Sequence, residues 1–462
     1  MKGRKIIKTL AFVLCCIFAI TMITACSGGG GGGGGAGGGG GSGGSGGGGG
    51  AGGGGGAEIE FFSMYEQGEP HVDYFNEMIA GFEEETGIKV NLTFSGRDVL
   101  NNIQGRVLAG DPPDLVDQEF SELTAALLVS AELAMPIDDL LYDTEGPEGQ
   151  AQMIDVFNDT FMSVYKTNGH HYFFPYEFAT AGISYNKTLF NDLGLSVPKT
   201  WNEFIAVGEA LKAEGIPPLA LDGNINFYNA YYYSILCMRV LGPGSFAKAA
   251  EDPTGAVWDD PGYLKAAQMA YEISKSGKDF FQPGYEGSNF PAAQADWAMG
   301  SSAMIMCGTW IPQETEELVD DDWVFGCFSF PGVEGGAGSA TEIESSLYGM
   351  AILEGCKNPD GAKQFLSYIA RKENAQKYSD YTDLISARTD IATPETLADV
   401  KDMIANATGF FLPYDGVLGA QPEWFANVFY PLDNQLLFGD ITPEEFISQM
   451  KQNSKDFWDK KQ

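Results

Sequence analysis

Carboxylate and amide side chains stand close to aromatic rings at several places in the chain. A ligand with apolar C–H faces and a rim of hydroxyls, such as a sugar, needs flat rings to stack on and polar atoms for hydrogen bonds. Both residue types combine here in loops that follow predicted strands. The candidate ligand-binding residues are Asp117, Glu119, Tyr176, Glu177, Tyr228, Asn229, Tyr232, Trp310, Glu344, Ser345 and Trp424.

Each of these candidates also has a purely structural interpretation. Acidic residues abound in this chain, so Asp117 and Glu119 are as consistent with solvated carboxylates as with ligand contacts. If the aromatic run 227–233 is helical, only one of its faces can meet a ligand, and Tyr228 and Tyr232 share a face. Core packing is the alternative for the two candidate tryptophans. The residue types alone leave both interpretations open.

Motifs for covalent or metal-assisted catalysis are weak. Two Ser-x-x-Lys matches occur, at 184–187 and 196–199, but the Ser-Asp-Asn and Lys-Thr-Gly companions of acyl-transfer enzymes are absent. The sequence also lacks G-x-S-x-G and H-E-x-x-H. The adjacent His170 and His171 point in different directions on any regular element, so we expect no metal site and no cofactor. A glycosidase needs only two suitably spaced carboxylates and remains the enzyme alternative.

The N-terminus has the pattern of an exported lipoprotein. A basic start and an apolar stretch over 10–23 lead to small residues before Cys26, as in secretory signals. About fourteen apolar residues are too few to span a bilayer. Cys26 in this setting resembles the lipobox of bacterial lipoproteins, which predicts a signal peptide over 1–25 and a lipid on Cys26 at the outer face of the cell membrane. An ordinary secreted protein with a chance cysteine is the alternative.

Segment 28–56 is almost pure glycine. Such a sequence has no side chains from which to build a core and a large backbone entropy to lose on ordering. As a random coil it spans roughly 30 Å on average. We therefore predict a lipidated cysteine and a flexible tether over 26–56.

Composition limits the partners and the size of the core. The net charge of −36 repels phosphate backbones and anionic lipids, which excludes nucleic acid as a partner and disfavours an anionic ligand. Roughly 400 residues beyond the tether exceed one compact core, so we expect two lobes. Cys237, Cys307, Cys327 and Cys356 are too widely spaced for a zinc site, and both disulfides and free thiols remain open.

Hydrophobic patterning predicts an α/β protein. Residues 58–63 read as a strand, 71–85 as a helix that Gly87 ends, and 90–94 as a second strand, which together form a βαβ unit. Thr200 with Glu203 predicts a capping box ahead of another helix. Further helix starts, by a capping residue followed by proline, are predicted at 358–359 and 442–443.

Three stretches resemble a known family. The first stretch consists of Phe174-Pro175-Tyr176, Gly182–Lys187 and Thr200–Phe204. The second consists of Gly300–Met304 and Gly308-Thr309-Trp310. The third consists of Asn358–Ala362 and Arg371–Asn374. In this order they resemble the extracellular sugar-binding proteins of ABC importers, over about residues 57–455. The resemblance implies a two-lobed, periplasmic-binding-protein-like fold in which each lobe is a mixed sheet flanked by helices and the ligand lies in the cleft between them.

The resemblance also assigns segments and residues. It implies one lobe of 57–174 plus 335–373 and another of 177–332 plus 376–462. Trp310 then stands at the ligand cleft, Trp424 is a second stacking ring, and Trp297 belongs to the core.

The function implied is capture of a carbohydrate, an oligosaccharide in our interpretation, by hinge closure without chemistry. The partners implied are ABC permease subunits with a cytoplasmic ATPase, and the protein is expected to be a monomer that meets the membrane only through its lipid. The alternatives are a secreted glycosidase and a ligand-sensing lipoprotein partner of a sensor kinase. Amino acids, peptides and polyamines are the other ligand classes.

Overall fold

The computed structural model describes residues 58–129 and 132–461. The predicted signal peptide, Cys26 and the glycine tether lie outside the described residues. Within the described part, no helix is long and apolar enough to cross a bilayer. The four cysteines of this part are free thiols, and three of them are buried.

Strands occur along the whole described chain and alternate with helices. Their bounds are β1 Glu58–Ser63, β2 Lys89–Phe94, β3 Leu115–Glu119, β4 Phe174–Ala179, β5 Ala181–Asn186, β6 Leu219–Ala220, β7 Met304–Gly308, β8 Phe325–Phe328, β9 Glu342–Glu344, β10 Ser346–Ile352, β11 Ile385–Ser386 and β12 Gly409–Phe411.

The helices range from short connecting turns to segments of 19 residues. Their bounds are α1 Pro70–Thr86, α2 Val99–Leu108, α3 Phe120–Leu123, α4 Asp138–Tyr142, α5 Asp159–Met162, α6 Lys187–Asp192, α7 Trp201–Ala213, α8 Asn226–Leu241, α9 Ser245–Glu251, α10 Pro261–Ile273, α11 Ala292–Ala298, α12 Ile311–Thr315, α13 Pro359–Ile369, α14 Lys372–Thr382, α15 Ala398–Ala405, α16 Val417–Ala420, α17 Pro422–Trp424, α18 Tyr430–Phe438 and α19 Pro443–Lys461. Two π-helical segments, Thr124–Val129 and Phe425–Phe429, extend α3 and α17.

Local capping signals form as the sequence predicts. The Thr200 side chain accepts a hydrogen bond from the backbone of Glu203, and the Glu203 carboxylate accepts one in return from the backbone of Thr200. Asn358 caps α13 by accepting from the Gly361 N–H at 3.0 Å. Gly87 ends α1 in the left-handed conformation, with a φ of 73°, which glycine adopts without a steric penalty.

The strands form two main sheets and one linking pair. The first sheet has six strands in the order β11-β4-β10-β3-β1-β2, with β1 parallel to β2 and β3, and β10 antiparallel to both its neighbours. The second has four strands in the order β6-β7-β5-β8, in which β5 runs antiparallel to its neighbours. The third is the parallel pair β12-β9.

Each main sheet carries its own hydrophobic core. Phe61, Leu115, Leu347 and Phe365 are fully buried in the first core, which forms around the six-stranded sheet. The second core forms around the four-stranded sheet, and its fully buried members include Ile183, Leu236, Trp297 and Phe429. Separate cores on separate sheets are the expected solution for a chain of this length.

The segment 376–400 packs in the first core, although the resemblance assigned it to the second lobe. Tyr378, Leu384 and Leu397 are buried there. The reason is strand pairing: β11 adds to the edge of the six-stranded sheet, antiparallel to β4. After β11 the chain also contacts the second sheet, since the Asp399 carboxylate accepts hydrogen bonds from the Lys187 ammonium at 2.8 Å and from the Cys327 N–H of β8 at 3.1 Å.

The chain passes between the two sheets at three places. Thr180 separates β4 from β5, and Ser345 separates β9 from β10. The third passage leads from α15 to β12, which pairs with β9. At the second passage the Ser345 N–H donates to the Phe411 carbonyl at 2.8 Å, and the Tyr165 hydroxyl donates to the Ser345 carbonyl at 2.5 Å. Two of the passages are thus single residues between strands, and the second of them is held by backbone hydrogen bonds.

Candidate ligand-binding site

Trp310 lies where the two cores meet. Its indole packs against apolar side chains of both cores and stays partly exposed. Gly308, two residues earlier, makes room for the ring, because a Cβ at that position would lie only 2.1 Å from a ring carbon. The ring faces Tyr348 of β10 edge to face, with 6.4 Å between the ring centroids. The Gly-x-Trp spacing therefore places a flat aromatic surface at the boundary between the cores.

Two acidic side chains near this boundary behave as groups in a groove. Glu314 of α12 and Glu122 of α3 are both solvent-exposed. Loss of hydration nevertheless raises the pKa of Glu314 to about 7, and it also raises the pKa of Glu122. Both carboxyl groups are therefore exposed to water and yet partly desolvated by neighbouring groups.

Arg97 is the cation of this region. Its guanidinium opposes the rise in the pKa of Glu314, so a first-core arginine lies near a second-core helix. Arg97 donates to both carboxylate oxygens of Glu69, at 3.0 and 2.8 Å, and sits over the Tyr65 ring at 5.3 Å. Because Glu69 already pairs with Arg97, little positive charge is left for other partners.

Glu119 is held at the end of β3. It caps α3 by accepting from the Ser121 N–H at 2.7 Å, and it also accepts from the Ser346 hydroxyl at 3.0 Å. Loss of hydration and then the nearby Glu122 raise the pKa of Glu119 to about 7. The side chain remains partly exposed, so it can still meet a ligand.

Glu344 is buried between the two cores at the second chain passage. Its exposed fraction is 3 %, and no described group donates a hydrogen bond to its Oε2. Burial and then the charge of Glu119 raise the pKa of Glu344 to about 8. Burial is the main cause of the raised pKa values of Tyr165 and Tyr231, and Glu344 adds to both. Glu344 thus lies within electrostatic reach of tyrosines from each core.

Second-core residues close the groove on the side of α3. Tyr430 is partly exposed, and its pKa is raised by burial and then by Glu122 of the first core. Nearby, Gly419 of α16 approaches Ser121 so closely that a Cβ on Gly419 would lie 3.5 Å from the Ser121 Cα. Helices α3 and α16, which belong to the first and second core, therefore meet directly here. We call the region the interlobe groove, and it is lined by Arg97, Glu119, Glu122, Trp310, Glu314, Glu344, Tyr348 and Tyr430.

Comparison with known proteins identifies the family. Residues 68–376, about two thirds of the chain, match the family described as bacterial extracellular solute-binding protein. The chain belongs to this family. The family description locates this solute-binding protein outside the cytoplasm.

Relatives of this solute-binding protein are named as binding proteins. The multiple sugar-binding protein of Streptococcus mutans serotype c is 25% identical over 328 residues, which cover 67% of this chain and 73% of the relative. The diacetylchitobiose binding protein NgcE of Streptomyces coelicolor is 25% identical over 336 residues, which cover 68% of this chain and 65% of the relative.

Solved structures share the fold. A chitin oligosaccharide binding protein aligns with a TM-score of 0.70 and 21% identity, over 87% of this chain and 98% of its own. A sugar transporter protein of Bacillus licheniformis in complex with stachyose aligns with a TM-score of 0.66 and 21% identity, over 86% of this chain and 99% of its own. The solute-binding protein accordingly has the two-lobed α/β fold that the sequence predicts.

Three predicted site residues lie beneath the groove rather than in it. Asp117 is fully buried and accepts from the Met64 N–H at 2.6 Å and from the Ser63 hydroxyl at 3.0 Å. Tyr176 donates to Asp117 at 3.3 Å, and Glu177 accepts from Tyr65 at 3.4 Å. These side chains bond to one another and to Tyr65 in this network. They therefore hold in place the Tyr65 ring, over which the Arg97 guanidinium lies.

The residues predicted on the aromatic run 227–233 are buried in the second core. Tyr228 accepts from Gln294 at 2.9 Å. Asn229 donates to the Gly223 carbonyl and to Asn434, each at 2.8 Å. Tyr232 has no exposed surface. The run is helical as α8, and the faces of these three residues are covered by neighbouring helices and sheet.

Trp424 is also a core residue in this structure. It has no exposed surface, its ring stacks on Phe429 with 6.2 Å between centroids, and its Nε1 donates to Ser454 at 3.1 Å. The continuous helical run from α17 into α18 turns the indole inward against α19. Ser345, the remaining prediction, is buried in the second chain passage and contributes hinge hydrogen bonds.

Five groove residues are not among those predicted from the sequence: Arg97, Glu122, Glu314, Tyr348 and Tyr430. Glu314 follows Trp310 by four residues, a helical spacing that places both on one face and was a usable signal. Tyr348 lies four residues beyond Glu344 across a chain passage, and no local pattern marks it.

Other features of the described residues do not form a ligand site. Within 58–129 and 132–461, no group of three His, Cys, Asp or Glu side chains is arranged to hold a metal ion. A surface hollow of 440 Å³ lies among α1, α4 and α13, and none of the groove residues line it.

Proposed function

We propose that this protein captures a carbohydrate in the interlobe groove and delivers it to an ABC permease. The observation that carries the proposal is the edge-to-face pair of Trp310 and Tyr348, which joins ring surfaces from both sheets in a groove lined by carboxylates. Aromatic surfaces stack on the C–H faces of a sugar, and carboxylates accept hydrogen bonds from its hydroxyls. The names of the sugar-binding relatives support this ligand class.

The two cores support the assignment of two moving bodies. We assign one lobe to about residues 58–179 plus 346–400, and the other to about 181–330 plus 411–461, from the members of each core. The three chain passages are the hinge. A ligand that touches Trp310 and Glu119 at once contacts both lobes only when they are closed, so its binding energy shifts the population to the closed form.

The N-terminal pattern supports export and anchoring. We propose cleavage of the signal peptide over 1–25, a lipid on Cys26, and a flexible tether up to residue 56. The lobes then act as a monomer at the outer face of the membrane, with permease subunits and a cytoplasmic ATPase as partners. The net charge of −36 keeps the domain away from anionic lipid and nucleic acid.

Calorimetry with a panel of oligosaccharides tests the proposal. The purified protein is titrated with each sugar, and the recovered sugar is analysed for cleavage after prolonged incubation. We expect saturable binding and unaltered sugar. Turnover of the sugar indicates a glycosidase, and absence of binding across the panel contradicts carbohydrate capture.

A further inference from the structure

Negative charge dominates the interlobe groove. Glu119, Glu122 and Glu314 line it, and Glu344 lies buried at its base. Arg97 is the cation whose field reaches both Glu314 and Tyr348, and it already forms a two-oxygen pair with Glu69. The groove therefore has a surplus of carboxylates that the described residues do not neutralise.

Among the acidic groove residues, Glu344 is the one that is buried with an oxygen that accepts no hydrogen bond. Its Oε2 receives no hydrogen bond from any described group, and the side chain is almost completely buried. The groups within its electrostatic reach are Glu119 on β3 and the phenols Tyr165, Tyr231, Tyr348 and Tyr414, which come from separate elements of both lobes. None of them supplies a positive charge.

An unpaired buried carboxylate is costly in any folded protein. Transfer of a polar group away from water without a new hydrogen bond is unfavourable, and transfer of a charge is more so. Two means can relieve this cost in the closed form: a proton on the carboxyl, or a cationic donor brought by the ligand. A charge-assisted hydrogen bond from an ammonium group relieves it most completely.

We propose that the ligand carries a protonated amino group, as an oligosaccharide of unacetylated amino sugars does, and that Glu344 and Glu119 hold this group. The inference rests on the proposed function and names its substrate class. The aromatic pair Trp310 and Tyr348 stacks on the sugar ring, while the carboxylates select its charge. Oligosaccharides of uronic acids are rejected, because their carboxylates add negative charge beside acidic side chains that outnumber the one engaged arginine.

A matched set of trisaccharides tests this selection. Trimers of glucose, glucosamine, N-acetylglucosamine and glucuronic acid, in α-1,4 and β-1,4 linkage where both exist, are titrated into the protein by calorimetry at pH 7. We expect a glucosamine trimer to bind about tenfold or more tightly than its neutral counterpart of the same linkage, and the glucuronic acid trimers not to bind.

Two charge-neutralising variants complete the test. In Glu344→Gln the ratio of glucosamine to glucose affinity should fall toward one, since the amide cannot pair with an ammonium group as a carboxylate does. Glu84→Gln, on the exposed surface of α1, removes the same charge outside the groove and should leave the ratio unchanged.

The outcomes distinguish the preference for amino sugars from carbohydrate capture itself. Neutral trimers that bind as tightly as the amino trimers, or a Glu344→Gln variant that keeps the full preference, overturn this inference and leave carbohydrate capture standing. Failure of every trimer to bind contradicts carbohydrate capture itself.

Discussion

The indole of Trp310 meets the phenol ring of Tyr348 edge to face, with ring centroids 6.4 Å apart and planes at 83°. The two residues belong to different sheets, since Trp310 follows β7 of the four-stranded sheet and Tyr348 lies in β10 of the six-stranded sheet. Aromatic pairs of this geometry are worth about 0.5–1.5 kcal/mol beyond the area they bury. The pair therefore stabilises contact between the two lobes at the point where the proposed ligand binds.

Replacement of Trp310 by alanine should weaken sugar binding strongly and stability only slightly. The indole is partly exposed, so its loss removes a stacking surface for the ligand without opening a deep cavity. We expect a loss of about 2 kcal/mol or more in binding free energy, as for buried aromatic anchors. Calorimetry measures the affinity, and thermal unfolding measures the stability.

The matched control is Trp323→Ala. Trp323 is also partly exposed and packs edge to face on Trp297 of the same lobe, away from the groove residues. Its removal should leave sugar affinity unchanged. If Trp310→Ala unfolds the protein, or if both variants lose affinity equally, Trp310 is a packing residue and not a ligand platform.

Gly308→Ala should displace the indole of Trp310 without removing it. A Cβ at position 308 would lie 2.1–2.4 Å from three carbons of the ring, so the ring must move. We expect sugar affinity to fall about tenfold, with a loss of stability of about 1–3 kcal/mol from overpacking. Fluorescence of the tryptophan and calorimetry follow the two effects.

Gly105→Ala is the control for this substitution. Nothing lies within 4 Å of a Cβ at position 105, which is inside α2. Alanine there should leave affinity unchanged and raise stability by about 0.5–1 kcal/mol, since it replaces glycine within a helix. Normal sugar affinity in Gly308→Ala would show that the ring position is unimportant.

Local signals in the sequence predict much of the fold. Thr200 with Glu203, Asn358 with Pro359, and Gly87 each determine a helix end through contacts within a few residues, and all three form as predicted. The association of 376–400 with the first sheet is different. It depends on pairing between β11 and β4, which are about 200 residues apart in the chain, and no local pattern encodes that contact.

In the candidate site, too, some features follow from local sequence and others depend on tertiary contacts. Trp310 and Trp424 look alike in sequence, since each lies two residues from a proline, between a polar and an apolar neighbour. Gly308 accommodates the ring of Trp310 at the lobe boundary, whereas Phe429 and Ser454 enclose Trp424. Ser454 lies on α19, 30 residues along the chain from Trp424, so only the tertiary packing distinguishes a core indole from an exposed one. Arg97 and Tyr348 were missed for the same reason.

Stability should fall as the pH rises from about 5 to about 8. Burial raises the pKa of Asp117 and of Glu177 to about 7 and that of Glu344 to about 8, from ordinary values of 3.8 to 4.5. In this window the unfolded chain has released these protons and the folded chain still holds them. Raising the pH therefore favours unfolding. Thermal unfolding in buffers from pH 5 to pH 8 measures the slope.

Glu344→Gln should make this slope shallower and stabilise the protein at pH 8 by about 1–2 kcal/mol, because the variant has no buried charge to form. Glu84→Gln, at an exposed site, should keep the wild-type slope. A Glu344→Gln variant with the same slope as the wild type would mean that Glu344 is hydrated and ionised throughout this range.

A reversible disulfide between the lobes should lock the groove closed. A Cβ on Gly419 would lie 3.7 Å from the Cβ of Ser121, close to the mean of about 3.8 Å found in disulfides. Ser121 lies on α3 of the first lobe and Gly419 on α16 of the second. The backbone of Gly419 does not need a left-handed φ, so a cysteine fits there without strain.

The double variant Ser121→Cys/Gly419→Cys should bind sugar when reduced and lose association when oxidised, because the ligand reaches the groove only through opening of the lobes. Cys356→Ser is included in every variant, since Cys356 is the half-buried native thiol, and each single cysteine variant serves as the control. Stopped-flow measurement of association before and after reduction gives the result. Fast sugar association in the fully oxidised double variant would mean that the ligand does not enter between the lobes, and the proposed hinge mechanism would then be wrong.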